Sequence, residues 1–595
     1  MSPPSLIKRY PWATFGRREG SDEFHTKWQE LREREPLLSY RPKVSLLICV
    51  TKAVYERHFL ECLESIRQQS YSNWEAIIAL VPSLVAWSEK ISQLQDKRFR
   101  VLVREANEAE LKNRAIEVSQ GEWIGVCDPE GLLSPVCLSL CVRQLEQDRE
   151  TRMLFSNELE LGKRGTNIKG YLSKAQLSWF SLLHGETVGR FCLIEKSTVE
   201  ALGPYDAEFP ILHERDFSLR FAEQGFRCSH LPAFLYYRRQ HRSPTEVETV
   251  KLAEAAIKRR GLIASVSLGP NGQVAVRPHV ENPGLCSAII CFRDKAEFTI
   301  RCLKGLVRSA AGIPLEIFLV NNGSTQVSLA QIKSVAKEFN VPVTFLNFDG
   351  PFNFAAMHNW VIKEHARGEL VLFLNNDVFL KKGELADLVA WARFSWVGTV
   401  GMCLRFPHGA IQHAGIRAGF GGSARLARLA HVQEEDAIYD RSRCVFANTF
   451  AACLIRRDLY LSLGGLDAVD LANGFGDIAL NFECLRRGLE NLYLAHVEGV
   501  HVESASRGTS YEYWEEVWLE KRYPEILQRM LREDLGYGRV PGSENSVGSL
   551  LGHAKEALLV LSRQKMPWLK PARVQAKKWV KQARGALGRI YEPLH

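Results

Sequence analysis

The sequence predicts an α/β protein built on doubly wound, mostly parallel sheets, present as two tandem copies of one domain with a helical C-terminal tail. Two observations carry that expectation. Short apolar runs alternate with helical patterns at close intervals from residue 44 onward. The same order of landmarks then returns about 240 residues later.

The first copy reads as strands at 44–50, 74–80 and 123–127, with helices at 59–69 and 108–119 between them. In the repeat, Ser45-Leu-Leu-Ile-Cys49 is echoed by Ser287-Ala-Ile-Ile-Cys291, and Cys62-Leu63 by Cys302-Leu303. Asn113, Gly121-Glu122 and Asp128-Pro-Glu130 answer to Asn359, Gly368-Glu369 and Asn375-Asn-Asp377. Leu202-Gly-Pro-Tyr-Asp206 answers to Leu463-Gly-Gly-Leu-Asp467, and Glu214 with Gly225 to Asp477 with Gly488. A single such match is uninformative; five in one order make a duplication. The expected organisation is an N-terminal arm at 1–42 with a helix around 24–35, a first domain at 43–243 and a linker at 244–284. A second domain at 285–510 and a basic helical region at 511–595 complete it.

The 595 residues exceed what one core sustains. Hydrophobic content of 46% and charged content of 24% are those of a globular protein. No apolar run approaches the ~20 residues needed to cross a bilayer, and the first residues lack an apolar export core, so a cytoplasmic protein is expected. The fourteen cysteines form no CxxC pair, and several lie in strand-like runs, as reduced core residues do. The net charge of +9 is modest and gathers near the C-terminus, which argues against nucleic acid as a partner.

The chemistry-bearing residues gather in the second copy. The run Leu370 to Leu374 ends in Asn375, Asn376 and Asp377, at the strand end where open α/β sheets place ligands. Two amides there suit sugar hydroxyls and the carboxylate suits a hard cation, although the same tripeptide also makes an ordinary turn. Asn321 and Asn322 close a second strand beside Gly323, either as a tight turn or as readers of a base or ribose edge. Asn353 and Asn359 flank the entry to a helix facing the same edge. His413 lies in a small-residue loop, as a structural or a substrate-contacting residue. Asp477 begins a helix, as an N-cap or as a general base. His501 stands at a strand end, where an imidazole can complete a metal site.

These motifs resemble the family 2 glycosyltransferases of GT-A fold, in the bacterial branch concerned with surface polysaccharides and O-antigen. The residues carrying the resemblance are Asn321-Asn-Gly-Ser-Thr325, Gly350-Pro-Phe-Asn-Phe354, Leu374-Asn-Asn-Asp377, Gln412-His-Ala-Gly415, Ala451-Ala-Cys-Leu-Ile-Arg-Arg457 and His501-Val-Glu-Ser-Ala-Ser-Arg507. The resemblance implies a metal-dependent inverting transferase using a nucleotide-sugar donor and a glycan or lipid-linked glycan acceptor. Asp377 and His501 would hold a divalent cation (Mn2+ or Mg2+), Asn375 the ribose or donor sugar, and Asp477 would be the catalytic base. Asn321 stands where the family often has Asp, and Phe379 where an acidic residue is common.

The first copy matches less well. Asp128, Glu130 and Glu214 keep carboxylates at the matching places, so a second site is conceivable there. Ala79-Leu-Val-Pro-Ser83 replaces the nucleotide-reading turn, however, and Tyr236-Tyr237 stands where the late histidine is expected. A retired scaffold or acceptor-binding module and a second active transferase are both open readings. Trp568, Trp579 and the basic residues of 548–592 suit either a helix on an anionic membrane surface or one packed on its own domain.

Overall fold

The computed structural model describes residues 38–162, 168–172, 174–185, 188–239, 244–269, 272–310, 312–380, 385–418, 426–428, 441–502, 513–533 and 537–539, with Glu33 and Glu35. The expected helix at 24–35 lies outside them apart from Glu33 and Glu35, and so does the basic region at 548–592. Glu35 is buried, accepts hydrogen bonds from the Ser72 backbone and hydroxyl, and pairs with Arg41.

In the first half the strands are β1 (Val44–Val50), β2 (Trp74–Leu80), β3 (Phe99–Val103) and β4 (Trp123–Cys127), then β5 (Leu132–Leu133) and β6 (Met153–Leu161). β7 (Ile168–Leu172), β8 (Cys192–Glu195) and β9 (Cys228–Arg238) complete it. A hairpin of β10 (Ala264–Leu268) and β11 (Val274–Pro278) follows. The second half holds β12 (Cys286–Phe292), β13 (Leu315–Asn321), β14 (Val343–Asn347), β15 (Leu370–Leu374) and β16 (Val378–Leu380). After these come β17 (Val397–Arg405), β18 (Ile411–His413), β19 (Ile416–Ala418), β20 (Leu426–Arg428) and β21 (Arg443–Val445). β22 (Ala452–Arg456), β23 (Glu490–His501) and β24 (Tyr537–Arg539) close the chain.

The two sheets share one topology. In the second the order is β14-β13-β12-β15-β22-β17-β23-β16, and in the first β3-β2-β1-β4-β8-β6-β9-β5. The first four strands of each are parallel, the fifth is antiparallel, and the last is a short antiparallel strand against the eighth element's neighbour. β1 and β15 are buried along their whole length, which fits runs that are apolar throughout apart from Ser45, whose hydroxyl donates to Glu75.

The repeat extends to single side chains. Asn107 and Asn353 each cap a helix, Glu108–Val118 and Phe354–Glu364. Six residues on, Asn113 grips the backbone N–H and C=O of Tyr205, as Asn359 grips those of Leu466. Cys62 Sγ donates to the Asp128 carbonyl, as Cys302 Sγ does to that of Asn375.

The halves share an apolar core. Trp179, Phe180 and Leu183 from the first half pack with Leu252 and Ile257 of the helix Glu246–Arg259, with Val276 of the hairpin, and with Leu388 and Trp391. Residues 244–284 thus carry a helix and a hairpin that belong to this core. The Trp391 indole donates to the Val276 carbonyl, and its ring meets Phe180 edge-on at 4.8 Å. The helices Tyr513–Arg522 and Pro524–Glu533 pack Leu519, Tyr523, Leu527 and Met530 on Phe446, Ile478 and Phe482, capping the second half. β24 then pairs with β7, returning the chain to the first sheet. All fourteen cysteines are free. Among the described residues, no helix is long and apolar enough to cross a membrane.

Candidate active site

The site of the second half is built where β15 leaves the sheet. Its apolar run stops at Asn375, whose backbone N–H donates to the Ala451 carbonyl, and the chain turns through Asn376 and Asp377 into β16. Pairing of β16 with β23 sets Val378 opposite His501, and Val502 N–H donates to the Asp377 carbonyl. That register brings Asp377 Oδ1 to 3.3 Å from His501 Nε2, both side chains being buried. On the other side of the ring, Nδ1 lies 2.6 Å from Gln412 Oε1 on β18. An amide oxygen only accepts, so Nδ1 carries a proton, and in the neutral ring it is the Nε2 lone pair that lies on the side of the carboxylate.

Two lone-pair donors so placed suit a cation. Bonds of about 2.1 Å from each to one divalent ion span the observed gap without rearrangement. The residues present therefore fit a divalent ion, with Gln412 fixing the ring behind it.

The loop Asn448–Ala451 joins the remaining parts. Phe450 N–H donates to Asp477 Oδ2, Thr449 N–H lies 3.5 Å from His413 Nε2, and Ala451 holds Asn375. Asp477 stands in the first turn of the helix Gly476–Arg486, its other oxygen accepting from the N–H of Ile478. The preceding Phe475 has φ +52°, a left-handed conformation that an aromatic residue adopts only when its surroundings enforce it. Part of that enforcement comes from Glu515, whose carboxylate accepts from the N–H groups of Asn473 and Gly474.

Behind the loop lies a buried amide cluster that carries no motif in the sequence. Asn481 Oδ1 accepts from Asn448 N–H and from the Thr399 hydroxyl, and its Nδ2 donates to the Asp477 carbonyl. Asn491 binds Thr399 N–H and the Phe446 carbonyl. All four side chains are fully buried. Isolated Asn and Thr codons in a helix and a strand give no periodic signal, so only the fold brings them together.

The remaining asparagines fall into two groups. Asn321 donates to Asn347 Oδ1 and accepts from Ser324 N–H, and Asn322 donates to the Phe348 and Gly350 carbonyls. They shape the turn after β13. Asn376 donates to Thr299. Asn353 caps its helix and donates to the Ala468 carbonyl, and Asn359 is the staple already described. Asn375 differs: its contacts are made by its backbone, and among the described residues its half-buried side chain has no partner.

The first half is built differently at the same places. Pairing sets Ser45 opposite Ile124 and Ser287 opposite Val371, which aligns Asp128 with Asn375 and Glu130 with Asp377. Leu132 pairs with Tyr237 as Phe379 pairs with Val500, so the residue matching His501 is Arg238. This corrects the expectation that Tyr236-Tyr237 takes the histidine's place. Tyr236 instead accepts, through its hydroxyl oxygen, from the Asp128 N–H. Glu130 Oε1 lies 3.1 Å from His58 Nδ1 and accepts from Tyr55 N–H. Burial raises the Asp128 carboxyl to about 6, although Arg190 works against it. For Glu214, burial acts upward, but Lys112 and Arg190 outweigh it and hold the carboxyl below its ordinary range.

Residues 45–200 and 287–450, more than half of the chain, match the family described as glycosyl transferase family 2. The chain belongs to that family. Its two matched segments open on the first strand of each sheet and end ahead of β9 and β22. Among curated relatives, "Uncharacterized protein y4gI" of Sinorhizobium fredii (strain NBRC 101917 / NGR234) is 30% identical over 495 residues, which is 78% of this chain and 54% of the relative. "O-antigen biosynthesis protein RfbC" of Myxococcus xanthus is 28% identical over 503 residues, 80% of this chain and 39% of the relative. The chain thus spans about half or less of the length of these relatives. Among solved structures, the mannosyltransferase PcManGT from Pyrobaculum calidifontis in complex with GDP-Man and Mn2+ matches at 16% identity. That match has a TM-score of 0.31 and covers 58% of this chain and 90% of that one.

Proposed function

We propose that the second domain of this family 2 glycosyltransferase moves a sugar from a nucleotide-sugar donor to a hydroxyl of a growing, lipid-linked surface glycan, with inversion at the anomeric carbon. The observation that carries this reading is the buried pair Asp377 Oδ1 and His501 Nε2 at 3.3 Å, with the ring fixed by Gln412. The O-antigen name of the Myxococcus relative supports a surface glycan as the product, and a lipid-linked acceptor would be met at the cytoplasmic membrane face.

Asp377 and His501 would hold Mn2+ or Mg2+, which when bound supplies Lewis-acid neutralisation of the departing nucleoside diphosphate. Asp477 takes the proton of the acceptor hydroxyl as its oxygen bonds to the anomeric carbon. The bond from that carbon to the diphosphate oxygen breaks on the opposite face, the electron pair leaving with the diphosphate, so the configuration inverts. Phe450 N–H, donating to Asp477 Oδ2, orients the carboxylate for this role. The unpartnered Asn375 amide is positioned to contact the donor's ribose or sugar hydroxyls, and Asn321 and Asn322 set the turn that receives the base.

The test is donor turnover across UDP-, GDP- and dTDP-sugars with Mn2+ or Mg2+. The Asp377→Asn chain is expected to lose turnover while keeping the circular dichroism and melting behaviour of the parent. Metal-stimulated turnover retained in that variant refutes the assignment.

A further inference from the structure

The first domain repeats the architecture of the second but sets buried cations among its own carboxylates. At the position of His358 it has Lys112, on the helix capped by Asn107. The Lys112 ammonium is buried; it binds Glu214 Oε1, lies 2.8 Å from His213 Nε2 and lies 3.2 Å from Glu108 Oε1. Those three residues bring their ligand atoms within 4.8 Å of one another, the grouping that a divalent ion would need. The ammonium occupies that grouping instead.

A second replacement lies just ahead of the fifth strand. Trp123 pairs with Glu195 as Leu370 pairs with Arg456, and counting back through Cys192 and Cys453 sets Arg190 where the second domain has Ala451. A methyl group has become a guanidinium. Arg190 Nε lies 3.7 Å from Asp128 Oδ2 and Nη1 lies 3.5 Å from Glu214 Oε2, so one side chain spans the turn after β4 and the position of the base. Arg238, in place of His501, turns to Glu160, and Glu130, in place of Asp377, turns to His58. The small cleft that remains is bordered by Asp128, Glu130, Arg190 and Arg239.

The geometry points to a first domain that is metal-free by construction: Lys112 and Arg190 stand where a divalent ion would neutralise the carboxylates, and Glu214 is an ion-pair partner rather than a base. A dication entering this cleft meets two fixed positive charges and carboxylates already paired with them. The chain therefore takes one divalent ion, in the second domain, and not two. The count of one rests on the reading of Asp377 and His501 given above; the metal-free first cleft does not.

The full-length chain, stripped with chelator, is titrated with Mn2+, and bound ion is counted by electron paramagnetic resonance. The expected counts are one per chain for the parent, none for Asp377→Asn, and one again for Asp377→Asn combined with Lys112→Met, where removal of the ammonium frees the Glu108, His213 and Glu214 atoms. An Asp377→Asn chain that still binds one Mn2+, lost on further Glu214→Gln substitution, overturns the proposal. That measurement leaves Lys112 untouched, so it decides even if the Lys112 variant fails to fold. A folded double variant that gains no ion overturns the claim that the ammonium occupies an ion site. A parent that binds none while Lys112→Met gains one refutes the second-domain reading and supports this one.

Discussion

Replacing Gln412 by Leu isolates the part of the site that acts on the histidine rather than on the ion. The amide oxygen at 2.6 Å from His501 Nδ1 is buried, as is the ring, so no water is on hand to take its place. A neutral imidazole without that acceptor is free to carry its proton on Nε2, which turns an N–H rather than a lone pair toward Asp377. Loss of such a partner behind a metal-binding histidine costs about 10- to 100-fold in metal affinity, or roughly 1.4–2.7 kcal/mol. Leu restores most of the volume, so packing is disturbed little. Glu at the same place keeps an acceptor and adds charge, and retains the affinity. Calorimetric titration of the chelated chain with Mn2+ reads the effect, and melting curves of both variants control for stability. Binding by Gln412→Leu within twofold of the parent refutes the role given to this hydrogen bond.

Two further predictions concern stability. Burial holds His184 down to about 3 and His213 and His358 to about 4, with the Lys112 ammonium a secondary cause at His213. A depressed folded value means the contribution is present above the unfolded value of about 6.5 and lost as pH falls from there toward 4. Each histidine is worth at most about 3 kcal/mol across that window. Asp128, raised to about 6, and Glu490, also raised by burial, act in the opposite sense and strengthen the fold on acidification, but two carboxyls oppose three imidazoles. Urea midpoints should therefore fall between pH 6.5 and 4.5, less steeply for His358→Gln; a flat or rising profile contradicts the argument. Separately, Trp391→Ala should cost about 3–5 kcal/mol, because the ring is wholly buried in the core common to both halves and its N–H satisfies Val276. Fluorescence and circular dichroism should show both halves destabilised together; loss confined to the second half refutes a common core.

The fold was legible because duplication converts weak signals into strong ones. Neither Asn113 nor Asn359 means much alone, but each turns out to grip the backbone some hundred residues on in the same way. The positions of Asp377 and His501 were visible for a related reason: both sit at strand ends, where an apolar run stops, and the pairing of β16 with β23 brings the two side chains together. What stayed hidden were residues whose role depends on long-range contact without local pattern. The cluster of Thr399, Asn448, Asn481 and Asn491 is scattered over 93 residues and meets only because β17, β23 and the helix Gly476–Arg486 cross behind the loop that holds Asp477.

The residue opposite the turn after β4 is hidden in the sequence for a comparable reason. Counting forward from Glu214 reaches Tyr236, Tyr237 and Arg238 as neighbours, and only the register of β5 on β9 says which faces the turn. A slip of one residue reverses the side of the sheet to which a side chain points, so sequence distance cannot decide it. The same one-residue logic explains how a duplicated domain changes its chemistry without changing its fold. Ala451 and Arg190 sit at the mouth of equivalent strands, where the backbone is fixed by the antiparallel pairing and only the side chain reaches the cleft. These positions lie outside the paired residues of β22 and β8, so exchange there alters the charge between the turn and the residue at the place of Asp477 without touching the ladder. Divergence of function at constant architecture needs few such positions, provided that they lie where strands end.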